Sequence, residues 1–450
     1  MERLTAEDRL MLWPDRLWPQ DIGAVAVLDG TPLADPDGRF RIDVVRRAVE
    51  ARLHLVPRFR QLLVTPLPGL GGPLWTDAPV FGVSDHVRVL PLDDPADEAR
   101  FLHAVENVRA RRMDRSRPLW EMWFFPGLAG GRVGLFVRMH HAIGDGIAGV
   151  ATLGAFLDAA PGPVRAWTPA PWPPASTLMI DNLRRRTQAA VAVLRRPRTA
   201  LASARAAWPQ VPRLFKTPPT SPTSLDRVVG PGRSFAFIRA ELDAVRQAAH
   251  RHDATINDVL LTAVAGGLDA LFRARGESVE DRTVPVYVPV TLRPAQHRDQ
   301  ARGNSVGQMI VPLPLGVADP GSRLRRIAAE TTRRKAVDHA DLGTAFRSPL
   351  ARLALLKFLE RHPVSVTTAD VPGPPQPVHL AGARLLEIFP LLPLIARVPL
   401  GIGALSYAGQ FTVTVVADRD AVPDFETFAE SARDELGALT VIASRDHQGS

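Results

Sequence analysis

Two adjacent histidines, His140 and His141, follow an apolar run in the stretch VRMHHAIGDG, and Asp145 stands four residues after the second of them. Because successive side chains of a strand alternate between its faces, we expect the two imidazoles to point in opposite directions, one toward a cleft and one into its own domain. An unperturbed histidine has a pKa of about 6.5, so a ring that is held in place accepts a proton at neutral pH. The pattern therefore indicates a general-base loop.

Glycines surround the acid that follows the histidines. Gly144 and Gly146 flank Asp145 and let the backbone turn sharply before a predicted helix, and Asp145 can form an ion pair or a hydrogen bond in that loop. The alternative interpretation is that both histidines are structural. A metal site is disfavoured, because adjacent histidines on a strand diverge and no third ligand stands at a recognisable spacing.

The composition is that of a globular protein with two domains. The chain has 450 residues, which is long for one core, and 46% of them are hydrophobic against 23% charged. It has no cysteine, which excludes disulfides, thiolate ligands and a cysteine nucleophile. The charged N-terminus does not resemble a signal peptide. The apolar residues 388–405 include Arg397 and three prolines, so we expect no membrane-spanning helix there.

The net charge of +8 comes from one segment. Residues 183–216 hold eight arginines, one lysine and no acid, which leaves 46 basic against 47 acidic residues in the rest of the chain. Apolar residues alternate with these arginines at helical spacing, so one hypothesis is peripheral attachment to a membrane or a lipid droplet. A solvated linker with its apolar side on the domains is equally open. We expect no nucleic-acid partner, because no binding motif and few aromatic residues accompany the charge.

Two proline-rich stretches, at residues 167–177 and 217–224, divide the chain. We therefore predict an N-terminal domain at residues 1–165, a crossover linker at 166–222 with two helices broken at Pro197, and a C-terminal domain at 223–450. Both domains have a mixed α/β pattern. Chemistry is expected at the seam between the two domains.

Hydrophobic periodicity predicts the elements of both domains. Helices are predicted at residues 41–55, 95–112, 323–336 and 349–361, with two more joined by a turn at 252–255. Strands are predicted at residues 86–92, 283–292, 308–315 and 409–418, and residues 119–128 and 131–141 are predicted to pair.

One further pattern, GNSVG, matches the nucleophile elbow of α/β-hydrolases at Ser305. That elbow requires a strand before the serine and a helix after it. Here a polar run precedes Ser305 and a strand-like run follows it. We therefore reject a serine hydrolase.

The stretch HHAIGDG resembles the HHxxxDG signature of the CoA-dependent acyltransferase superfamily, which includes chloramphenicol acetyltransferase, carnitine acyltransferases and peptide-synthetase condensation domains. Other stretches are similar, in order, to the bacterial wax ester synthase/diacylglycerol acyltransferase family. They are VPRFRQLL, PLW, HVR and DRSRPLWEMW in the first half, and TINDVLL, VPVTLR, GNSVGQMIVPLP, VPGPPQPVHLAGARL and LSYAGQFTVTVVAD in the second. The resemblance covers nearly the whole chain, and the ordered set is specific to the family. The chain departs from the family pattern at AEDRLML, which lacks a proline before its first Asp, and at Asp226 and Asp370, where asparagine is usual.

The resemblance implies an α/β (α+β) fold of two chloramphenicol-acetyltransferase-like domains with the active-site channel at their interface. It also implies that His141 is the general base and that His140 supports it. Asp145 would be structural, and Gly146 would keep the cleft open.

Asn257 and Asp258 resemble the ND pair of the family. The resemblance implies that they position the histidine or a substrate carbonyl. For Asp258, an acid favoured by the dipole at a helix N-terminus is an equally open interpretation.

The implied activity is transfer of a fatty acyl group from acyl-CoA to a fatty alcohol or diacylglycerol, giving wax ester or triacylglycerol, without an acyl-enzyme. We expect no metal and no cofactor, with acyl-CoA and a lipid alcohol as substrates. The expected location is the cytoplasm, with attachment to the inner face of the membrane or to lipid droplets left open. The alternatives are a condensation-type acyltransferase that uses a carrier-protein thioester in specialised metabolism, and a non-catalytic lipid-binding protein of the same fold.

Overall fold

The computed structural model describes most of the chain. The described residues are 2–5, 9, 12, 14–93, 95–144, 149, 152–158, 162–195, 222–291, 306–335 and 364–445. The predicted helix at residues 349–361, the linker after residue 195, Ser305, Asp145 and Gly146 lie outside these ranges.

Strands and helices alternate through both halves, as the periodicity predicts. The strands are β1 (Glu2–Arg3), β2 (Asp21–Asp29), β3 (Gln61–Val64), β4 (Leu74–Asp77), β5 (Val87–Val89), β6 (Trp120–Leu128), β7 (Arg132–His140), β8 (Arg233–Glu241), β9 (Thr283–Thr291), β10 (Val306–Pro314), β11 (Val366–Pro372), β12 (His379–Leu380), β13 (Ala383–Leu391), β14 (Leu400–Tyr407) and β15 (Gln410–Asp418). The helices are α1 (Ile42–Arg52), α2 (Glu98–Arg109), α3 (Ala175–Arg195), α4 (Leu242–Arg251), α5 (Ile256–Ala274), α6 (Pro320–Lys335) and α7 (Phe425–Arg445). The predicted mixed α/β class is confirmed.

The sheet that carries the histidines is built around a hairpin. β6 and β7 pair antiparallel, as predicted, and Gly130 and Gly131 in their connection have φ angles of 75° and 68°. Glycine adopts this left-handed region without steric cost, so the chain can reverse within a few residues. β7 also pairs antiparallel with β2, which places the start of β2 beside the end of β7.

The second half of the chain completes this sheet. Its strand order is β12-β13-β2-β7-β6-β5, and β13 pairs antiparallel with β2. The second half of the chain therefore supplies two strands, β12 and β13, to the sheet that carries the histidines. The predicted domain bounds stay a prediction, because a sheet shared in this way does not fix where one domain ends.

A second six-stranded sheet, in the order β10-β9-β11-β14-β15-β8, belongs to the second half alone. Its core packs against α5, which is apolar on most sides and buried along most of its length, as expected of a core helix. Within the described residues no single helix is long and apolar enough to cross a membrane. α4 and α5 meet the length and composition criteria only as a pair that bends by 92°.

The two sheets meet through a third apolar cluster with residues from both halves. At its centre the rings of Phe237 on β8 and Phe389 on β13 stack with centroids 3.8 Å apart and an interplanar angle of 4°. Next to this stack, Arg239 binds Glu387 with a distance of 2.6 Å from Nε to Oε1, and it also pairs with Glu98 on α2. Apolar packing and ion pairs therefore join the halves.

Candidate active site

Three sequence motifs of the first half meet in one buried aromatic stack. Trp120 of the stretch DRSRPLWEMW lies between Phe59 and His86, with ring centroids 4.5 Å and 4.6 Å away. The Trp120 indole N–H donates to the Phe59 carbonyl, and His86 Nδ1 lies 2.8 Å from the Trp120 carbonyl. Burial lowers the pKa of His86, so its ring is neutral at pH 7 and Nδ1–H donates to that carbonyl. This histidine is a structural residue that fixes the start of β6.

β7 ends at His140, whose ring is 2% exposed. The backbone N–H of Ala142 donates to Nδ1 at 3.0 Å, and Nε2 lies 3.1 Å from Oδ1 of Asp15. A neutral imidazole has one acceptor nitrogen and one N–H. Because Nδ1 accepts a hydrogen bond, Nε2 carries the proton, and this N–H donates a hydrogen bond to Asp15. Both ring nitrogens of His140 are therefore used inside the protein.

Asp15 lies in a short 3-10 helix, Pro14–Arg16, just before β2. Its Oδ1 also accepts the Gln20 backbone N–H at 2.9 Å, and its Oδ2 pairs with Arg115. Burial alone would raise the pKa of Asp15, but the hydrogen bonds from His140 and Gln20 are the largest of the effects that outweigh it and hold the pKa well below its usual range. Asp15 is therefore an ionised acceptor beside His140.

His141 is the first residue of the turn that follows β7, and it is half-buried. Its backbone N–H donates to the Gln20 carbonyl at 2.8 Å, and the Ile143 N–H donates to the His140 carbonyl at 2.9 Å. Gly144 follows this turn. The two histidines thus differ in burial, and the roles predicted for His140, His141, Gly144, Asp145 and Gly146 stay predictions.

His140 contributes to a cavity of about 400 Å³. The buried side chains of Asp15, Asp21 and His140 contribute to its lining, together with exposed Arg16, Arg112 and Arg115. His141 does not line this cavity. A partly open cleft with basic residues around it therefore reaches the buried histidine from the side of residues 14–20.

A buried charge cluster braces the strand ends below the histidines. Arg138, with a side chain 3% exposed, donates to Oε2 of Glu121 on β6 at 2.8 Å and lies 3.5 Å from Oδ2 of Asp21 on β2. It also donates to the carbonyl of Arg111 at 2.8 Å. Burial raises the pKa of Asp21, which the charge of Arg138 opposes. One side chain thus ties three adjacent strands.

The ND pair begins α5. Thr255 is the N-cap, and Asp258 closes a capping box by accepting the Thr255 N–H at 2.8 Å and the Thr255 hydroxyl at 2.7 Å on Oδ2. The other oxygen of Asp258 accepts the hydroxyl of Thr331 on α6 at 2.7 Å. Asn257 is half-buried, and in the described part of the chain no hydrogen bond joins Asn257 or Asp258 to either histidine. Their role in positioning substrate or base stays a prediction.

The acids that replace the usual asparagines differ from each other. Asp226 accepts the Thr223 N–H at 2.8 Å and the Ser365 hydroxyl at 2.9 Å, so it holds a turn. Asp370 lies on β11, and desolvation by the surrounding protein raises its pKa to about 6 although its surface is accessible.

Three site residues were not predicted from the sequence, namely Asp15, Gln20 and Arg115. Asp15 stands between prolines in WPDRLWPQ with no helical or strand periodicity around it. Its partner His140 is far away in the sequence, and only the pairing of β2 with β7 brings the two together. No local signal in a single sequence could have found this contact.

Two other expectations concern chemistry outside the histidine loop. The residues after Ser305 form β10, antiparallel to β9, and a nucleophile elbow would need a helix there. Among the residues that the structure describes, no three histidine, aspartate or glutamate side chains form a group that could hold a metal ion. The absence of a cofactor stays a prediction.

Solved structures share this fold. The wax ester synthase/diacylglycerol acyltransferase from Marinobacter aquaeolei VT8 superposes with a TM-score of 0.70 at 20% identity, covering 98% of this chain and 99% of that one. The first condensation domain of the calcium-dependent antibiotic synthetase superposes with a TM-score of 0.62 at 17% identity, covering 99% and 96%. The predicted two-domain fold is confirmed, and it is the fold class that this acyltransferase and the condensation domain share.

Sequence comparison identifies the family within this class. The family model for the wax ester synthase/diacylglycerol acyltransferase catalytic domain matches residues 4–260, and that for the WS/DGAT C-terminal domain matches residues 302–440. A putative diacylglycerol O-acyltransferase of Mycobacterium tuberculosis is 32% identical over 94% of this chain and 93% of its own, and a probable one is 29% identical over 94% and 92%. The chain belongs to the wax ester synthase/diacylglycerol acyltransferase family and is an acyl-CoA-dependent O-acyltransferase.

Proposed function

We propose that this enzyme transfers the acyl group of acyl-CoA directly to the hydroxyl of a lipid alcohol, with His141 as the general base. The observation that carries the proposal is the contrast between the two histidines. Both ring nitrogens of His140 are engaged, by Asp15 and by the Ala142 N–H, so His140 has no nitrogen left to take a proton. His141 stands next to it in the turn and is half-buried.

In the proposed step, His141 takes the proton of the alcohol hydroxyl while the alcohol oxygen attacks the thioester carbonyl carbon. The new C–O bond forms, the C–S bond breaks, and the imidazolium returns the proton to the CoA sulfur, which leaves as thiol. Atoms and charge balance without an acyl-enzyme. A positioned general base of this kind contributes about 10²–10⁴-fold to the rate.

Fatty alcohol and diacylglycerol are the proposed acceptors, giving wax ester or triacylglycerol. The M. tuberculosis relatives carry the name diacylglycerol O-acyltransferase, and the Marinobacter protein is named both wax ester synthase and diacylglycerol acyltransferase. The similarity to condensation domains keeps a carrier-bound thioester donor as the competing outcome.

The test is thiol release from palmitoyl-CoA by the purified protein, with hexadecanol and dioleoylglycerol as separate acceptors and mass spectrometry of the products and the intact protein. We expect thiol release that depends on the acceptor, an ester product and no acylated protein. Release without acceptor together with an acylated protein would overturn the direct transfer. No release with either acceptor would favour a carrier-bound donor.

We also propose that residues 183–216, together with the exposed apolar side chains just before them on α3, attach the enzyme to a membrane or lipid-droplet surface. The support comes from α3, where Met179, Ile180 and Leu183 are 56%, 48% and 61% exposed at helical spacing. Arginines follow at once, at Arg184 to Arg186. Exposed apolar side chains next to basic ones suit an interface with anionic lipid.

This attachment is tested by co-sedimentation with vesicles of phosphatidylcholine and phosphatidylglycerol. Ile180→Glu with Leu183→Glu should reduce binding, whereas Val80→Glu, at a residue 87% exposed and outside α3, should not. Equal binding of wild type and the double variant would overturn the proposal and favour a solvated linker.

A further inference from the structure

We propose that Asp15 is a positioning residue for the transfer reaction, because it fixes the proton of His140 on Nε2 and thereby shapes the turn that carries His141. The inference rests on the proposed role of His141 as base. It gives Asp15 and His140 a joint function, in which neither side chain touches the reacting atoms.

The shape of the turn depends on which nitrogen of His140 is protonated. The Ala142 N–H, one residue beyond His141, donates to Nδ1 at 3.0 Å, so this nitrogen must be free of a proton. In the other tautomer, and in the imidazolium form, Nδ1–H would face the Ala142 N–H. Two donors cannot bond, and Ala142 is only 4% exposed, so its N–H would lose its partner at a buried site.

Asp15 selects the tautomer that the turn requires. Its Oδ1, 3.1 Å from Nε2, can accept a hydrogen bond only if Nε2 carries the proton. The carboxyl pKa lies well below its usual range, so Asp15 is an acceptor throughout the neutral pH range. Arg115 Nη2 is also near Nε2, but at 3.5 Å it is farther from this nitrogen than Oδ1 of Asp15.

The segment that holds Asp15 also holds the backbone of the base. The Gln20 N–H donates to Oδ1 of Asp15 at 2.9 Å, and the Gln20 carbonyl accepts the His141 N–H at 2.8 Å. Residues 15–20 therefore form hydrogen bonds both to the side chain of His140 and to the backbone of His141. Loss of the Asp15 carboxylate removes the acceptor of His140 Nε2–H and of the Gln20 N–H, and so frees the residue whose carbonyl holds the His141 N–H.

The experiment compares Asp15→Ala, Asp15→Asn and Asp97→Ala in the palmitoyl-CoA and hexadecanol assay. Asp97 is a matched control, because it also accepts a backbone N–H, that of Arg100 at 2.8 Å, but caps α2 and does not contact the histidines. The asparagine oxygen can replace Oδ1 and accept from both Gln20 and His140. We expect Asp15→Ala to lower kcat by about 10–100-fold with little change in KM, as for the loss of other orienting partners of a functional histidine, and Asp15→Asn to restore most of it.

Nitrogen-15 NMR of histidine-labelled protein adds a readout that stability alone does not move. We expect the His140 proton on Nε2 in the wild type and a mixture of tautomers in Asp15→Ala. A proton on Nδ1 in the wild type, or a kcat of Asp15→Ala equal to that of Asp97→Ala, would overturn the proposal. If Asp15→Ala does not fold, Asp15→Asn and the wild-type spectrum decide. Retained activity in His141→Ala would instead overturn the proposed function.

Discussion

At the scale of single residues, the two adjacent histidines differ because β7 ends between them. The sequence predicted from strand alternation that one ring would be held inside and the other presented outward. His140 is the last residue of β7 and is buried, whereas His141 lies in the turn beyond the strand and is half-buried, so alternation along the strand is not what separates them. The partner that holds the buried ring, Asp15, could not be predicted, since no pattern links it to His140 along the chain. The residue types indicate general-base chemistry, whereas the contact of His140 with Asp15 depends on the pairing of β2 with β7 in the sheet.

A prediction at this scale concerns Asp370. Its pKa in the folded chain, about 6, is above the ordinary 3.8 because the surrounding protein desolvates the carboxyl. The folded state therefore holds this proton more tightly than the unfolded state, so the contribution of Asp370 to stability is lost as pH rises from about 3.8 through about 6. Asp370→Asn should raise the melting temperature at pH 8 and leave it nearly unchanged at pH 3.5.

Thermal unfolding of both proteins across this pH range checks the sign. Asp226→Asn is a suitable comparison, since that carboxylate bonds to the Thr223 N–H and the Ser365 hydroxyl. An Asp370→Asn variant that is less stable than the wild type at pH 8 would show that the carboxylate has a favourable partner.

At the scale of elements, periodicity predicted most helices and strands because their burial follows local rules. The β6–β7 hairpin and the α4–α5 pair are found where the pattern placed them. The ends of the helices and strands were predicted less accurately than their positions. The predicted helix at residues 95–112 spans Glu98–Arg109, since Asp97 caps its start by accepting the Arg100 N–H. Caps of this kind depend on one side chain and leave little trace in periodicity.

The start of α5 carries a prediction that separates the two interpretations of Asp258. Both of its oxygens bond inside the protein, to Thr255 and to Thr331. If this is its role, Asp258→Ala should lower the free energy of unfolding by about 1–3 kcal/mol, with KM for both substrates little changed. Chemical denaturation and steady-state kinetics measure the two effects.

Thr331→Val is the matched variant, because it removes the same contact from the other side with a side chain of similar shape. It should lower stability in the same direction. A higher KM for one substrate in Asp258→Ala, without loss of stability, would support contact with the substrate instead.

At the scale of the whole molecule, the two halves are joined by more than the linker. β13 pairs with β2, and the stack of Phe237 on Phe389 lies between the sheets. The sequence predicted two α/β halves. It could not predict that β12 and β13 of the second half join the sheet of the first half, because strand pairing between distant segments depends on the assembled core. Composition and periodicity do not record which sheet a strand joins.

Because β13 of the second half pairs with β2, we predict that the first half does not fold alone. A fragment of residues 1–222 would expose the edge of β2, a strand whose residues are mostly buried in the whole chain. Exposed apolar edges aggregate. We expect the fragment to be insoluble or unfolded when expressed alone, and to be recovered when residues 223–450 are co-expressed. A monomeric fragment with its own cooperative unfolding transition would contradict this.

The most direct test of the account is the rate of palmitoyl transfer by His141→Ala at saturating palmitoyl-CoA and hexadecanol. His103→Ala is the control, because that histidine is on the surface of α2 with a side chain 69% exposed. We predict that His141→Ala lowers kcat by about 10²–10⁴-fold while palmitoyl-CoA binds as before, and that His103→Ala keeps the wild-type rate. A kcat for His141→Ala within about tenfold of the wild type would contradict the assignment of His141 as the base.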